Sequence, residues 1–379
     1  MSALPLEGVV VLEFCQYLSG PSAGLRLADL GARVIKIESP KGDACRKLAI
    51  ENLWMDEDDS LLFHTINRNK ESFTANLKDE SDITIIKKLI KRAGVVMHNF
   101  RPGVMQKLGL GYEDMQSINP AIVYTEISGY GDGGPWVKKP GQDLLLQAKS
   151  GLMFTSGNFD DPPVPFGLAI GDILCGAQAV QGILAALVHK EQTGEGALLQ
   201  LSLLESLLDF QFELLTTYYA SGKIPERSKA NNGNPLLGAP YGLHRTLDGY
   251  IAIAMVNIEL LAEVLECDPL KAFTQSDVFD SRDEIKQTLA DHLKIRPSEY
   301  WLMKLREKDL WAMEVMDWNQ LRESEGYQAL EMEMALDAQK SFVTTRCPIR
   351  MDGKKLISRR AAPLLGADTD RIITEFGLK

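Results

Sequence analysis

Hydrophobic positions near the amino terminus fall in unbroken runs. Val9-Val10-Val11-Leu12-Glu13-Phe14 is one, and such a run predicts a strand buried on both faces. A loop over residues 15–20 follows. Pro21 stands where a first-turn proline belongs, and Leu25, Leu27 and Leu30 predict a short helix that ends at Gly31. Val34-Ile35-Lys36-Ile37-Glu38 reads as a second strand. Strand, helix and strand in this order predict a βαβ unit of a parallel sheet.

The pattern repeats downstream. Ser81 is a candidate cap for a helix carrying Ile83, Ile86, Leu89 and Ile90, with Gly94 at its end. Val95-Val96-Met97 predicts a third strand, leading into His98-Asn99-Phe100-Arg101-Pro102-Gly103. Ala121-Ile122-Val123-Tyr124-Thr125-Glu126-Ile127 predicts a fourth, leading into Ser128-Gly129-Tyr130-Gly131-Asp132-Gly133-Gly134-Pro135-Trp136. Ligands of open α/β sheets bind outside the carboxyl ends of the strands, so the loops at 15–20, 98–103 and 128–134 define the candidate site. Residues 167–190 predict a long helix rich in Gly and Ala, and residues 198–203 a further strand. The polar stretch 221–240 reads as a domain boundary. Beyond it, a strand at 249–254 and amphipathic helices near 258–265, 285–293 and 300–308 predict a smaller α+β unit. Residues 344–379 return to strand, turn and helix. No internal repeat or low-complexity segment is visible.

A chain of 379 residues exceeds one small core and predicts two domains. The net charge of -11 argues against a nucleic-acid binder and against a strongly acidic partner surface. Five cysteines, Cys15, Cys45, Cys175, Cys267 and Cys347, form no CxxC pair, which predicts neither a zinc site nor a disulfide framework and points to a reducing, cytoplasmic compartment. The opening residues lack a basic region followed by an apolar one, so a secretory signal is not expected. The apolar stretches 166–188 and 197–219 carry Asp172, Gln178, Gln181, Glu205, Asp209 and Glu213, and predict buried soluble segments in place of membrane spans.

Candidate chemistry centres on Gly141-Gln142-Asp143-Leu144-Leu145-Leu146-Gln147-Ala148-Lys149-Ser150-Gly151, where a carboxylate precedes an apolar run just after the glycine-rich loop. Asp143 has two readings. It is a helix cap, with Leu144, Leu145 and Ala148 as a buried stripe, or a nucleophile, since carboxylates form acyl intermediates. The local pattern favours the cap. Other chemistries lose support on motif. No GxxxxGK[ST] and no G-x-S-x-G occurs. The first βα loop lacks G-x-G-x-x-G, although Glu38 stands where a ribose-binding acid would, so a nicotinamide-dependent oxidoreductase is an alternative. His64, His98, His189, His244 and His292 show no metal-ligand spacing. Arg68, Lys70, Arg101, Lys107, Lys138 and Lys139 are candidate phosphate-binding cations near the sheet-end loops.

A family likeness runs through these segments. Val11-Leu12-Glu13-Phe14, Ser19-Gly20-Pro21, the stretch from Leu27-Ala28-Asp29-Leu30-Gly31 to Glu38, and Gly42-Asp43 resemble the opening of class III CoA-transferases, the family of formyl-CoA transferase and carnitine CoA-transferase. The likeness continues at Asn67-Arg68-Asn69-Lys70-Glu71-Ser72, Asn99-Phe100-Arg101-Pro102-Gly103, Leu108-Gly109-Leu110-Gly111-Tyr112, Ser128-Gly129-Tyr130-Gly131, Asp143-Leu144, Thr193-Gly194-Glu195-Gly196 and Ala362-Pro363-Leu364-Leu365-Gly366-Ala367-Asp368.

The resemblance implies that Asp143 is the catalytic nucleophile. It implies CoA contacts at Leu18, Ser19, Ser39, Ala75, Asn76, Leu77, Lys78, Asn99, Phe100, Arg101, Lys107, Ser128, Gly129, Tyr130 and Gly131. Leu18 stands where formyl-CoA transferase has a Gln, and Ser39 and Ser128 where it has basic residues. It implies a Rossmann-like CoA-binding domain over residues 1–200 and 341–379, a small domain over 225–330, linkers at 201–224 and 331–340, and an intertwined, ring-like homodimer. The implied substrates are an acyl-CoA thioester and a free carboxylic acid, with no permanently bound cofactor, no nucleic acid and no membrane. The family also includes acyl-CoA racemases, which carry a His before the aligned Asp and pair it with an acid matching Asp172. Here the neighbour is Gln142, which has no titratable proton for two-base chemistry, so racemization is the alternative.

Overall fold

The computed structural model describes residues 4–55, 59–337 and 342–378. Its organising element is a six-stranded sheet in the order β3-β2-β1-β4-β5-β6, with every neighbouring pair parallel. The strands are β1 (Val10–Phe14), β2 (Arg33–Glu38), β3 (Glu71–Thr74), β4 (Val95–His98), β5 (Val123–Ser128) and β6 (Ala197–Ser202). Helices α1 (Ser19–Asp29), α2 (Leu61–Asn67), α3 (Glu80–Ile90), α4 (Val104–Lys107) and α5 (Tyr112–Ile118) connect them, so the chain is mixed α/β with a parallel sheet. Leu12, Phe14, Ile35, Val96 and Tyr124 are buried in this sheet, as unbroken apolar runs require.

Five of the six strands stand within two residues of the positions their sequence predicts. β3 has no apolar run: Glu71-Ser72-Phe73-Thr74 carries one large apolar side chain, because it is the sheet edge. The carboxyl-terminal helix region covers that edge. The Asp368 carboxylate accepts the Ser72 N–H at 3.0 Å, and Thr369 Oγ1 accepts the Thr74 N–H at 3.0 Å, which blocks pairing by a foreign strand.

Helix α6 (Asp143–Ser150) follows the glycine-rich loop. Helix α7 (Ile170–Thr193) is long and apolar enough to cross a membrane by length and composition, yet one face packs on α1, β5 and β6. Gly176 makes the α1 packing close: a methyl group there would lie 2.7 Å from the Ser19 carbonyl oxygen. Residues 201–224, expected as a linker, hold the end of β6, α8 (Leu203–Phe210) and α9 (Phe212–Ser221).

By contact the chain divides into two compact units. One comprises Met1–Leu146, Ala169–Phe210 and Leu330–Lys379, the other Gln147–Leu168 and Gln211–Ala329. The second unit is built on the antiparallel sheet β7 (Gly242–Arg245), β8 (Tyr250–Ile253) and β9 (Ala312–Glu314). Helices α10 (Ile258–Val264), α11 (Arg282–Leu293) and α12 (Ser298–Glu307) close its core around Ile251, Leu261, Leu289, Trp301 and Leu305. The chain then forms α13 (Trp318–Glu323), α14 (Glu325–Leu330), the hairpins β10 (Glu333–Ala335)–β11 (Val343–Thr345) and β12 (Arg350–Met351)–β13 (Lys354–Lys355), and α15 (Thr369–Glu375). The boundary placed between residues 340 and 341 lies outside the described residues.

Candidate active site

Three loops gather at the carboxyl edge of the sheet, and the β1–α1 loop is fixed from below by a buried ionic network. Lys36 Nζ donates to the Cys15 carbonyl at 2.7 Å and lies 3.0 Å from Glu13 Oε1 and 2.9 Å from Asp43 Oδ2. Lys70 Nζ lies 2.8 Å from Glu13 Oε2 and donates to the Pro21 carbonyl at 2.8 Å. Both lysines are fully buried. Burial would push the Lys36 ammonium down, but Glu13 and Asp43 outweigh it and hold it up; burial prevails at Lys70, which falls to about 8. Arg68 is also buried and is forked onto Asp29. Arg68 and Lys70 are therefore structural cations and not phosphate ligands, a correction to the sequence reading.

Asn99 completes the loop from the β4 side. Its Oδ1 accepts the Gln16 N–H at 2.8 Å and its Nδ2 donates to the Gln16 carbonyl at 2.7 Å. Ser19, the first residue of α1, is buried, and its hydroxyl hydrogen-bonds the Asp172 carboxyl.

The Gln142 carbonyl accepts the Leu145 and Leu146 N–H groups, which makes Asp143 the first residue of α6. Its carboxylate, on a residue only 8% exposed, reaches a different helix. Asp143 Oδ1 accepts the Gly171 N–H at 2.7 Å and the Asp172 N–H at 3.4 Å, both in the first turn of α7. Those N–H groups have no partner within their own helix, and the positive end of the helix dipole favours the carboxylate. Asp143 thus caps α7, 28 residues away. Leu144, Leu145 and Ala148, expected as a buried stripe, are exposed; Leu146 turns inward instead. The Asp172 carboxyl is pushed up to about 6, chiefly by burial and then by the Asp143 charge.

The glycine-rich loop approaches Asp143 through a backbone contact. A methyl group on Gly129 would lie 2.7 Å from Gly141 Cα, so only glycine fits this crossing. Ser128 Oγ accepts the Gly131 N–H at 2.8 Å, and the Tyr130 hydroxyl donates to the Pro140 carbonyl at 3.2 Å. Phe100, Ser128 and Gly131 share a cavity of about 460 Å³ at the ends of β4, β5 and β6. Glu126, Asp132 and Glu205 also line it, a setting that repels phosphate.

The other expected contacts are dispersed. Leu18 is half-buried and packs on the cluster formed by Cys45, Phe63, Ile66 and Ala362. Ser39 is exposed, with its hydroxyl in a turn with Gly42 and Lys41. Ala75 lies in the core with its N–H on the Glu38 carbonyl, and Leu77 packs on that core. Asn76, Lys78, Arg101 and Lys107 are exposed. The Gly171 donor, the Ser19–Asp172 contact and the Gly129–Gly141 crossing have no local sequence signal.

Comparison with known proteins places this arrangement in a family. The model of CoA-transferase family III matches residues 6–369, so the chain belongs to that family and is an enzyme of the CoA-transferase class. It is 36% identical over 308 residues to an acetyl-CoA:oxalate CoA-transferase of Acetobacter aceti, covering 79% of this chain and 77% of that one. It is 31% identical over 381 residues to the human succinyl-CoA:glutarate CoA-transferase, covering 98% and 86%. A crystal structure of a CAIB/BAIF family protein from Brucella suis superposes with a TM-score of 0.85 at 30% identity, over 99% of this chain and 100% of that one.

Proposed function

We propose that this enzyme moves CoA from an acyl-CoA donor to a free carboxylic acid, with Asp143 as the nucleophile. The observation that carries the proposal is the Asp143 carboxylate, buried and aligned by the first turn of α7 behind a loop fixed at the sheet edge. An Asp143 oxygen attacks the thioester carbonyl, the C–S bond breaks, and CoA leaves as thiolate from an aspartyl acyl anhydride. The thiolate attacks the aspartyl carbonyl, releasing the donor acid and leaving an aspartyl-CoA thioester. The acceptor carboxylate attacks that thioester to form a second anhydride, and thiolate takes the acceptor acyl group and returns the Asp143 carboxylate. Every step is acyl exchange between oxygen and sulfur, without electron transfer or net proton change. Alignment matters because a carboxylate is a weak nucleophile, and positioning contributes about 7–11 kcal/mol in well-oriented systems.

CoA would lie across the sheet edge along Leu18 and Ser19, Ser39, residues 75–78, residues 99–101, Lys107 and residues 128–131. Exposed Lys78, Arg101 and Lys107 supply charge for its phosphates. The strand order supports a Rossmann-like reading of this CoA-binding unit, because ligands of that order sit where it reverses, between β1 and β4. The relatives named above act on oxalate and glutarate, which supports a dicarboxylate acceptor. Exposed Ile173 and Val188 on α7, and Phe212 and Tyr219 on α9, support an interlocked homodimer that covers them. Five free, buried cysteines support a cytoplasmic enzyme.

The test is to incubate the protein with succinyl-CoA or acetyl-CoA and a panel of carboxylic acids, with mass spectrometry of the thioesters formed. A new acyl-CoA from at least one acid is expected. Failure with every acid, or binding of NAD in place of CoA by titration calorimetry, would reject the reading.

A further inference from the structure

The β1–α1 loop holds a strained residue that the reaction above does not use. Tyr17 has φ +62°, the left-handed region that a bulky side chain rarely enters. Its neighbours over-determine that conformation. Lys36 holds the Cys15 carbonyl, Asn99 holds both backbone polar groups of Gln16, and Asp43 Oδ1 accepts the Tyr17 N–H at 3.3 Å. Asp43 is itself paired with Lys36. Glycine would take this backbone without strain, yet the position carries an aromatic ring that is 53% exposed, so packing does not explain it. Strain kept by its surroundings, without a packing return, marks functional loops.

Tyr17 stands between the loops after β2 and β4, since Asp43 bonds Tyr17 and Asn99 bonds its neighbour Gln16, and so at the point where the strand order reverses. Two residues on, Ser19 bonds the Asp172 carboxyl beside Asp143. The cations under the loop, Lys36 and Lys70, are buried and paired. Among the residues of this loop Tyr17 is the exposed one, and its side chain ends in a hydroxyl donor. We propose that Tyr17 is a specificity residue of the transfer reaction, its phenol O–H donating to the carboxylate of the acid substrate that is not being activated. This rests on the functional reading above.

The test compares Tyr17→Phe and Tyr17→Gly with the unaltered enzyme. Acetyl-CoA serves as donor, so that only the acceptor carries a second carboxylate, and oxalate and glutarate serve as acceptors. Tyr17→Phe should raise the KM for the acid at least fivefold and leave the KM for acetyl-CoA within twofold. Tyr17→Gly should lose at least tenfold in kcat/KM for the acid while its Tm is unchanged or higher, since glycine relieves the strain. An unchanged acid KM in Tyr17→Phe overturns the proposal, as does a Tyr17→Gly whose activity falls only together with its Tm. If the unaltered enzyme transfers CoA to no acid, the functional reading fails and the proposal with it. Transfer by the unaltered enzyme with unchanged Tyr17 variants rejects the proposal alone.

Discussion

The Asp143 carboxylate and the Gly171 backbone N–H are joined by a hydrogen bond of 2.7 Å. This bond ties the first residue of α6 to the first turn of α7, so the candidate nucleophile is held by backbone. Backbone donors cannot be lost by rotamer change, and they point one carboxylate oxygen at the helix end.

Asp143→Asn tests the chemistry with little structural change. The amide oxygen still accepts the Gly171 N–H, so Tm should stay within about 2 °C, since retention of the bond leaves only a small stability difference. Transfer should fall by at least about 10³-fold, since removal of a nucleophile can cost on the order of 10⁶-fold. In the unaltered enzyme, acyl-CoA given without acceptor should leave an adduct that hydroxylamine converts to a hydroxamate at Asp143. Cys175 should remain unlabelled, because burial pushes its thiol up to about 12. Peptide mapping that places the adduct on a cysteine would defeat the mechanism.

Gly171→Ala separates position from identity. The added methyl would lie 2.9 Å from Asp143 Oδ1 and 3.2 Å from Leu207 Cδ1. Leu207 is buried, so the carboxylate is the group that gives way. A displacement of about 1 Å costs on the order of 10²-fold in rate. Steady-state kinetics should show kcat reduced by about that factor, with CoA affinity by calorimetry unchanged; equal losses in both would point to general misfolding.

Much of the sheet was legible in the sequence because buried parallel strands announce themselves as apolar runs, as Val9–Phe14 and Val34–Glu38 do. β3 was not, because an edge strand needs only Phe73 on the core while Ser72 and Thr74 bind the carboxyl-terminal segment. Asp143 stood out in the sequence, but its partner did not: Gly171 is 28 residues away and contributes a backbone group, which has no residue signature. The apolar run after Asp143 misled for a related reason. Leu144 and Leu145 follow the expected pattern yet stay exposed, and Leu146 is the leucine of the run that is buried.

The network under the loop makes a stability prediction. Lys36→Met would leave Glu13 and Asp43 buried without one of their cations and free the Cys15 carbonyl. Breaking a buried pair on one side costs about 3–5 kcal/mol. Urea denaturation should show that loss, and the effect should shrink in the double variant Lys36→Met, Asp43→Asn. A loss under about 1 kcal/mol would mean the network is more hydrated than its burial indicates.

Asp172 makes stability depend on pH. Its carboxyl titrates near 3.8 in the unfolded chain and at about 6 in the folded one. Between those values the folded protein keeps a proton that the unfolded chain has released. Stability contributed by this group therefore falls as pH rises from about 4 to about 6, and is level above that. That difference corresponds to about 3 kcal/mol. Asp172→Asn removes the charge and keeps a group of the same shape for the Ser19 hydroxyl. Relative to the unaltered enzyme it should gain stability at pH 8 and gain nothing at pH 4, measured by urea unfolding at each pH. Its Asp143 would also no longer face a second negative charge, so any activity it retains should lose pH dependence near 6. Parallel stability curves for the two proteins across this window would show that Asp172 is solvated and that the Asp143 charge does not reach it.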